Sequence, residues 1–483
     1  MSDVKKIVAD EPDEFGDVPE LSLPSTLPSN YEMRVESDVL EPVVFSQDFC
    51  RFTLQKKGFL SHQSKITFSV EPQGDNPTAF FPLNVGVNSL ISRCVLKAGA
   101  KTLAETEEFN QLQCYRSEFI APENNFEREQ YLTGRMMNYE AEYVDPEGGV
   151  NPDTNAPSFG IKTGMNTDFR PVGAASKAVQ PFATIDGTSQ LTIDDSPVYA
   201  IFLADLFDCF YGFDLPMYMI DDEIHIELHF EGESENRVSL STDGGNNPAL
   251  EYNIVRDQCR MLYDTIYYDG DTMERHRQKK EKAGGVIFSY VDYRLSRRVA
   301  GNAELEGGIV QNIGGSGRIV DKIIYGLSLD TSLGDPNIYL NNKFSSDAPV
   351  LSAGAVKEKE VSVNLFYNDR YEFPSDRTSL ATLFSTTATA EGIPLQVPKA
   401  LYGNEAEVSI TDRAVEGRVV RASFYRAMWW NAIKLMRGER VNSQGINFHL
   451  DWVGDAGNRS FFVWLALKKT GVIKNGRVDC YFQ

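Results

Sequence analysis

The sequence lacks a long apolar run. No stretch of about 18 apolar residues occurs, which is the length that a helix needs to cross a bilayer. The most apolar segment, residues 197–220, is interrupted by Asp and Pro. The first 25 residues contain no apolar core of the signal-peptide kind. We therefore expect neither export nor a membrane-spanning segment.

Residues that commonly carry catalysis or bind metals are sparse, with five His and six Cys in 483 residues. The Cys residues lie far apart and form no CxxC pair. This spacing favours buried thiols in a reducing compartment over a disulfide framework. A nucleophilic Cys would need a partner His and an activated thiolate, and no local signature for either occurs. The six positions are Cys50, Cys94, Cys114, Cys209, Cys259 and Cys480.

Positive charge is also scarce, because 47 Lys and Arg face 69 Asp and Glu, for a net charge of −22. Such a chain repels phosphate, so it is not predicted to recognise nucleic acid specifically or to dock on an anionic membrane. One dense basic cluster, RHRQKKEK at 275–282, stands out. It suits packaged nucleic acid or an acidic neighbour, but a solvated helix face is the favoured interpretation.

Aromatic residues are plentiful, with 29 Phe and 21 Tyr, and they favour strands. The length suits two β-sandwiches of about 200 residues each. Many strands joined by long loops predict an all-β protein of two tandem sandwiches of the Greek-key or jelly-roll kind, with short helices. The predicted divisions are an acidic, flexible arm (1–40), a first jelly roll (41–268) with a long loop (138–190), a linker (269–285) and a second jelly roll (286–483).

The strand pattern is clearest at residues 222–231, where Ile, Leu and Phe alternate strictly with Glu and His. Period two predicts one buried and one wet face. Other strands are predicted at 43–55, 64–72, 88–105 with a bend at Gly99, 189–194, 249–269, 286–300, 317–330, 336–346, 361–373, 445–453, 459–472 and 476–483.

Four helices are predicted. The segment 106–119 has apolar residues three or four apart and Thr106 as a candidate cap. Residues 124–137 form a second candidate, and the polar stretch 269–285 is a helical linker ending at a Gly pair. A fourth helix begins near Pro374, which suits a first turn, within the segment 374–390.

The motif HIELH places His225, Glu227 and His229 on one face of the predicted strand. A weak metal site is one interpretation, but the order HExxH of zinc proteases is absent. A solvated or interface face is favoured. The acidic run Asp221–Glu223 reads either as a metal cluster or, preferably, as a turn at the strand entry.

Two further motifs carry little functional weight. GGSG at 314–317 lies between predicted strands, without the helix and the Lys-Ser/Thr that a phosphate-binding loop requires, so a flexible turn is expected. Asn458 begins a glycosylation acceptor pattern, which we discount because no export signal is expected. We therefore predict no catalytic residue, no cofactor and no metal site.

The segment 80–119 resembles the first jelly roll of double jelly-roll major capsid proteins, in which an apolar strand and a Gly-containing turn lead into a short helix. Residues 210–230 resemble that family's later segment, where Leu-Pro precedes the long strand closing the first barrel. The segments 289–300 and 337–344 stand where the second barrel begins. The likeness spans residues 40–483, and it is greatest to polinton-like viruses and virophages, with nucleocytoplasmic large DNA viruses more distant.

This resemblance implies an all-β fold of two tandem eight-stranded jelly-roll sandwiches and a mechanical role in a virion. Three copies would form a homotrimeric, pseudo-hexameric capsomer that tiles an icosahedral shell around double-stranded DNA. Its partners would be itself, neighbouring capsomers, and penton and minor capsid proteins. Trp429 and Trp430 are candidate interface residues, although core packing explains them equally well. The alternatives are a carbohydrate-binding or carbohydrate-cleaving β-sandwich protein and a minor virion protein of the spike or vertex.

Overall fold

The computed structural model describes the strand-rich parts of the chain. These are residues 33–72, 79–80, 85–119, 132–133, 141–143, 159–161, 198–231, 240–241, 252–329, 361–377, 380–392, 420–421, 430–435, 438–453 and 457–483. The strands expected at 189–194 and 336–346, residues 1–32 of the arm, Trp429, and most of the helix at 124–137 and of the loop at 138–190 lie outside them.

In the described residues of the first half there are sixteen short to medium strands. They are β1 (Met33–Leu40), β2 (Val44–Ser46), β3 (Phe49–Thr53), β4 (Phe59–Leu60), β5 (Lys65–Phe68), β6 (Val70–Pro72), β7 (Ala79–Phe80), β8 (Ile91–Ala98), β9 (Lys101–Glu107), β10 (Ala141–Tyr143), β11 (Phe159–Ile161), β12 (Tyr199–Phe202), β13 (Ile224–Phe230), β14 (Leu240–Ser241), β15 (Tyr252–Ile254) and β16 (Arg260–Tyr268).

The second half contains longer strands. They are β17 (Val286–Ala300), β18 (Ile309–Gly314), β19 (Val320–Leu329), β20 (Val361–Tyr367), β21 (Arg370–Tyr371), β22 (Val420–Arg421), β23 (Asn431–Lys434), β24 (Ile446–Trp452), β25 (Arg459–Lys474) and β26 (Arg477–Phe482).

Helices are few and short. The α-helices are α1 (Phe109–Phe119), α2 (Leu203–Leu206), α3 (Gly270–Lys282), α4 (Asn302–Glu306) and α5 (Leu380–Glu391). Single 3₁₀ turns occupy Gly86–Leu90, Asp208–Phe210, Met217–Met219 and Arg256–Gln258. Within the described residues, no helix is long and apolar enough to cross a membrane.

The first sandwich consists of two antiparallel sheets. One has the order β1-β16-β5-β12, with β4 also paired to β16, and the other has the order β2-β3-β13-β8-β9. Alternating apolar residues of both sheets point into the space between them, as period two requires. Ile66 and Tyr263 from one sheet meet Phe52 and Leu228 from the other in a single buried core.

The second sandwich repeats this arrangement. One sheet has the order β17-β25-β19-β23, with β26 also paired to β25, and the other has the order β18-β24-β20-β21. Strand β25 is apolar and buried on both faces over most of its length, which is the pattern of a central strand. Phe448 faces Tyr325 and Phe461 across the core, with ring centroids 4.9 and 5.2 Å away.

The all-β double jelly-roll architecture is confirmed, and several predicted strands match closely. The strand predicted at 286–300 coincides with β17, and the Gly99 bend separates β8 from β9. Each sandwich has more than eight strands within the described residues, because short strands such as β2 and β26 extend the sheets at hairpins.

Three local predictions are wrong. Residues 33–40, assigned to the flexible arm, form β1, whose eight residues pair with β16. Thr106 does not cap α1, because it lies inside β9 and the turn into the helix is made at Glu108, with a φ of 49°. Pro374 lies outside the first turn of α5, which begins at Leu380.

The prediction that one face of β13 is exposed to solvent is also wrong. Glu227 is buried, and His225 and His229 are partly buried, with a side-chain exposure of 12% for His225. Alternation identifies which side chains are polar, but β13 lies between β3 and β8. Lys97 of β8 pairs with Glu227, and Phe49 of β3 packs on the His229 ring.

Candidate functional site: the junction between the two sandwiches

Strand β9 is the edge of its sheet, and side chains from the second sandwich cover that edge. The carbonyl of Leu103 accepts hydrogen bonds from the Tyr290 hydroxyl at 2.6 Å and from the Lys469 ammonium at 2.8 Å. The indole Nε1 of Trp464 donates to the carbonyl of Glu107 at 3.1 Å. An uncovered strand edge exposes backbone groups that recruit other strands, and here side chains satisfy them.

A buried ion pair stands behind this edge. Lys469 Nζ lies 2.8 Å from Asp292 Oδ2, with side-chain exposures of 3% and 1%. The other oxygen, Asp292 Oδ1, accepts the backbone N–H of Glu105 at 3.0 Å. Since a buried charge is tolerated only when it is paired and hydrogen-bonded, this geometry fixes β9 against β17 and β25.

A second, more exposed ion-pair network joins the same strands. Glu105 accepts a hydrogen bond from Arg93 Nε at 2.8 Å and lies 3.3 Å from Arg294 Nη1. Arg297 Nη1 lies 3.1 Å from Glu108. The carboxylates belong to the first half and two of the three guanidiniums to the second, so the charges are complementary across the junction.

Helix α1 carries another polar cluster into the junction. Arg116 Nη2 lies 3.1 Å from Asp208 Oδ1, and Tyr293 from β17 donates to Asp208 Oδ2 at 3.3 Å. The Arg116 guanidinium also lies over the Tyr293 ring. Burial, followed by the charge of Asp208, raises the pKa of Tyr293 far above its ordinary value. The phenol therefore remains a hydrogen-bond donor.

The end of α5 meets α1 through Glu391. Tyr115 donates to this carboxylate, and Lys322 Nζ lies 2.8 Å from each of its oxygens. The ion pair is almost fully buried, with exposures of 11% for Lys322 and 5% for Glu391. A residue of the first half is thus tied to two elements of the second.

The two cores exchange residues across the junction. Leu112 and Tyr115 of α1 pack in the second core, whereas Tyr290 and Ile473 pack in the first. Phe213 of the first half stacks on Phe288 of the second, with ring centroids 4.9 Å apart. The arrangement is mechanical: it fixes one sandwich against the other.

The predicted trio His225, Glu227 and His229 does share one face, but a lysine occupies it. Lys97 Nζ lies 2.6 Å from Glu227 Oε2, where a metal cation would have to bind. Burial raises the pKa of Glu227, but the hydrogen bond and charge of Lys97 outweigh it, and the pKa is lowered. Burial, then the charge of Arg93, lowers the pKa of His229. Among the described residues, no three His, Cys, Asp or Glu are placed to hold a metal.

The acidic run at the entry of β13 contacts the C-terminal hairpin. The N–H of Asp221 donates to the carbonyl of Gly476 at 2.6 Å, and Asp222 Oδ2 accepts from the N–H of Val478 at 3.3 Å. A side chain at position 476 would meet the Asp221 carboxylate at 1.9 Å, so glycine is required there. The predicted turn therefore joins the two sandwiches.

The remaining sequence candidates are structural. GGSG at 314–317 is a turn between β18 and β19 with positive φ at its glycines. Five of the six Cys are buried and none is paired, as expected. Burial raises the pKa of Cys94 to about 12, so this thiol is a poor nucleophile. Trp430 lies in the second core against Trp464. The basic cluster lies on α3.

One open cavity of about 400 Å³ lies on the outer face of the sheet β18-β24-β20-β21. Asp376, which lines it, accepts hydrogen bonds from Ser362 at 3.0 Å and from Asn364 at 2.7 Å. Tyr371 is half exposed and meets His449 edge-on, with ring centroids 5.6 Å apart. Sequence reasoning missed this cavity and the junction, because both depend on residues far apart in the chain.

No family model and no curated protein matches the sequence. The fold is nevertheless that of double jelly-roll major capsid proteins. The Faustovirus major capsid protein is similar to this chain with a TM-score of 0.52 at 10% identity, over 94% of this chain and 92% of that one. A chain in the cryo-electron microscopy structure of the Sputnik virophage gives 0.55 at 12% identity, over 96% and 92%.

Proposed function

We propose that this protein is a major capsid protein, which forms homotrimeric, pseudo-hexameric capsomers in an icosahedral shell around double-stranded DNA. The observation that carries the proposal is the junction, which holds two jelly rolls of the same architecture as one building unit. Three such units around an axis present six barrels, and a ring closes when each first barrel meets the next copy's second barrel. The fold likeness to the Faustovirus major capsid protein supports this role.

The proposal includes the location and the partners. The protein lies in the virion shell, is assembled inside the host cell, and contacts neighbouring capsomers and penton and minor capsid proteins. It catalyses no reaction and recognises no nucleic-acid sequence. The net charge of −22 supports the last point, because a shell of acidic subunits does not condense on DNA. A first jelly roll that ends at residue 268, a linker at 269–285 and a second jelly roll at 286–483 are also part of the proposal.

Size-exclusion chromatography with light scattering tests the oligomer. Three chains of 54.1 kDa each predict a particle of about 160 kDa that survives dilution, because obligate interfaces of this class bury over about 2,000 Å². Negative-stain images of the same fraction should show hexagonal outlines. A monomer that persists at high protein concentration contradicts the proposal.

Saccharide binding is a second candidate, and the cavity beside Tyr371 favours it. Sugars bind where aromatic rings adjoin carboxylates and amides, and the cavity combines Tyr371 with Asp376 and Asn364. Stabilisation against heat by a panel of oligosaccharides tests it. Loss of that stabilisation in Tyr371→Ala, with retention in Tyr481→Ala as an exposed control, would support a binding role.

A minor virion protein of the spike or vertex is the third candidate, and its copy number per particle distinguishes it from a major capsid protein. Quantitative mass spectrometry of purified particles measures copy number. A count near that of the most abundant virion protein supports the tile, whereas a count limited to the vertices supports a minor component.

A further inference from the structure

Helix α3 has two chemically different faces. Met273 and His276 lie on the side that packs against the first sandwich, where Phe59 and Tyr218 contact the His276 ring. Lys280 is buried on the same side. Arg275, Lys279 and Lys282 follow each other at spacings of four and three residues, and all three are exposed. Such spacing places them on one helix face, directed away from the sandwich.

This exposed face is a concentration of positive charge in an acidic chain. Five of the eight residues at 275–282 are Lys or Arg. Within the helix, Glu281 pairs with Arg277 and Glu274 accepts a hydrogen bond from Gln278. The density of exposed positive charge suits this face to an acidic partner.

The pairing of β1 brings the start of the chain to this helix. Met33 is aligned with Tyr268 in the antiparallel ladder, and Asp269 is the N-cap of α3. The chain that precedes Met33 therefore arrives at the N-terminal end of α3, where the helix dipole also favours negative charge.

The preceding segment has the complementary composition. Of the eleven residues at 10–20, six are Asp or Glu and none is Lys or Arg. Twelve residues lie between Glu20 and Met33, and the thirteen residue steps from one to the other reach at most about 47 Å when extended. The helix is about 20 Å long, so the acidic residues can reach every turn of it.

We propose that the acidic segment 10–20 docks on the basic face of α3 in the same chain. The contact is made of ion pairs between its carboxylates and Arg275, Lys279 and Lys282. It covers the densest positive cluster in the sequence, and so keeps this face from binding nucleic acid. The proposal does not depend on the capsid role.

Carbodiimide cross-linking of the full chain tests the contact, because the reagent joins only carboxylates and amines that already touch. Peptide mass spectrometry should find residues 10–20 linked to Lys279 or Lys282, in a product that runs as a monomer on a denaturing gel. The same link in a product of dimer size would show that a second copy supplies the segment, and it would overturn docking within one chain. Absence of the link in either product would overturn the contact altogether.

A charge-neutralised variant tests the effect of the contact. In Asp10→Asn, Glu11→Gln, Asp13→Asn and Glu14→Gln combined, the acylation rates of Lys279 and Lys282 should rise roughly threefold, the scale of an exposed ion pair. A matched variant neutralises exposed acids elsewhere, namely Glu107, Asp257, Glu306 and Asp369. It should leave both rates unchanged, and 0.5 M salt should remove the difference.

Binding of a short DNA duplex at low salt completes the test. The variant neutralised at residues 10–14 should bind the duplex several-fold more tightly than the wild-type protein does. The matched variant should bind it as the wild type does. Equal affinity of these two variants would show that general charge, rather than a docked segment, keeps DNA away.

Discussion

The two sandwiches share an architecture but fill their cores with different residues. Among the described residues, the first core contains Met217, Met219 and Met261 together with four Cys but no Trp. The described part of the second core contains Trp430, Trp452 and Trp464 but no Met. Two sets of side chains thus fill similar spaces, which shows that alternation and strand order specify this fold more than particular residues do. It also explains why the halves show no residue-level repeat.

The comparison predicts that large aromatic residues make the second core the more sensitive to truncation. Trp464→Ala should lower the free energy of unfolding by about 3–5 kcal/mol, because it leaves a large cavity. It also removes the donor to the carbonyl of Glu107. Met261→Ala is the matched change in the first core and should cost less, within about 2–5 kcal/mol. Urea unfolding measures both, and a larger loss in Met261→Ala would reverse the comparison.

The junction should respond strongly to loss of one charge. Lys469→Met leaves the buried Asp292 carboxylate with Arg294, whose Nη2 lies 3.4 Å from Oδ2, as its remaining cation. We therefore expect a cost of about 3 kcal/mol, at the lower end for a broken buried ion pair. The double change Asp292→Asn with Lys469→Met removes both charges and keeps an oxygen for the Glu105 N–H, so it should recover most of the loss. Lys468→Met, which breaks the more exposed pair with Asp321, should cost less than about 1 kcal/mol.

The same variant sharpens the comparison between the sandwiches. If the junction couples them, wild-type protein unfolds in one calorimetric transition, and Lys469→Met separates it into two. A single transition in the variant would show that contacts other than this ion pair maintain the coupling.

Gly471 tests the aromatic part of the junction. An added methyl group at this position would lie 2.2 Å from the Phe288 ring, which stacks on Phe213. Gly471→Ala should therefore displace that ring and cost about 1–3 kcal/mol. Phe288→Leu with Gly471→Ala should relieve the clash. Thermal unfolding of the single and double variants measures the effect, and equal melting temperatures would contradict it.

The smallest expected effect is a pH dependence confined to the first sandwich. Because the pKa of folded His229 lies below its ordinary 6.5, the unfolded chain binds more protons as the pH falls below that value. Protonation of His229 therefore does not lower the free energy of unfolding above pH 6.5, and it lowers it progressively below that pH. His229→Gln should therefore lose less stability than wild type between pH 7.5 and 5.5 in urea titrations. An equal loss in both proteins would assign the pH dependence to other groups.

Strands with a strong apolar pattern could be predicted from the sequence, but edge strands could not. The apolar runs of β17 and β25 identified them as strands, whereas β1 escaped because an edge strand needs little apolar surface. The burial of Glu227 could not be predicted either, since it depends on Lys97, which lies 130 positions away in another strand.

The junction was out of reach of sequence reasoning for the same reason. Asp292 meets Glu105 across 187 residues, and neither position belongs to a local motif. The acidic run at 221–223 did signal a turn, but its docking on the hairpin at Gly476 required the folded structure.

The covered edge of β9 governs how copies of this molecule can meet. Backbone groups along an open strand accept almost any extended neighbour, so they promote indiscriminate growth of sheets. Hydroxyl, ammonium and indole donors already occupy the carbonyls of Leu103 and Glu107. At this edge, copies of the molecule can therefore associate only through the shape and charge of their side chains. Such contacts are selective, so the molecules can assemble in order even at high concentration.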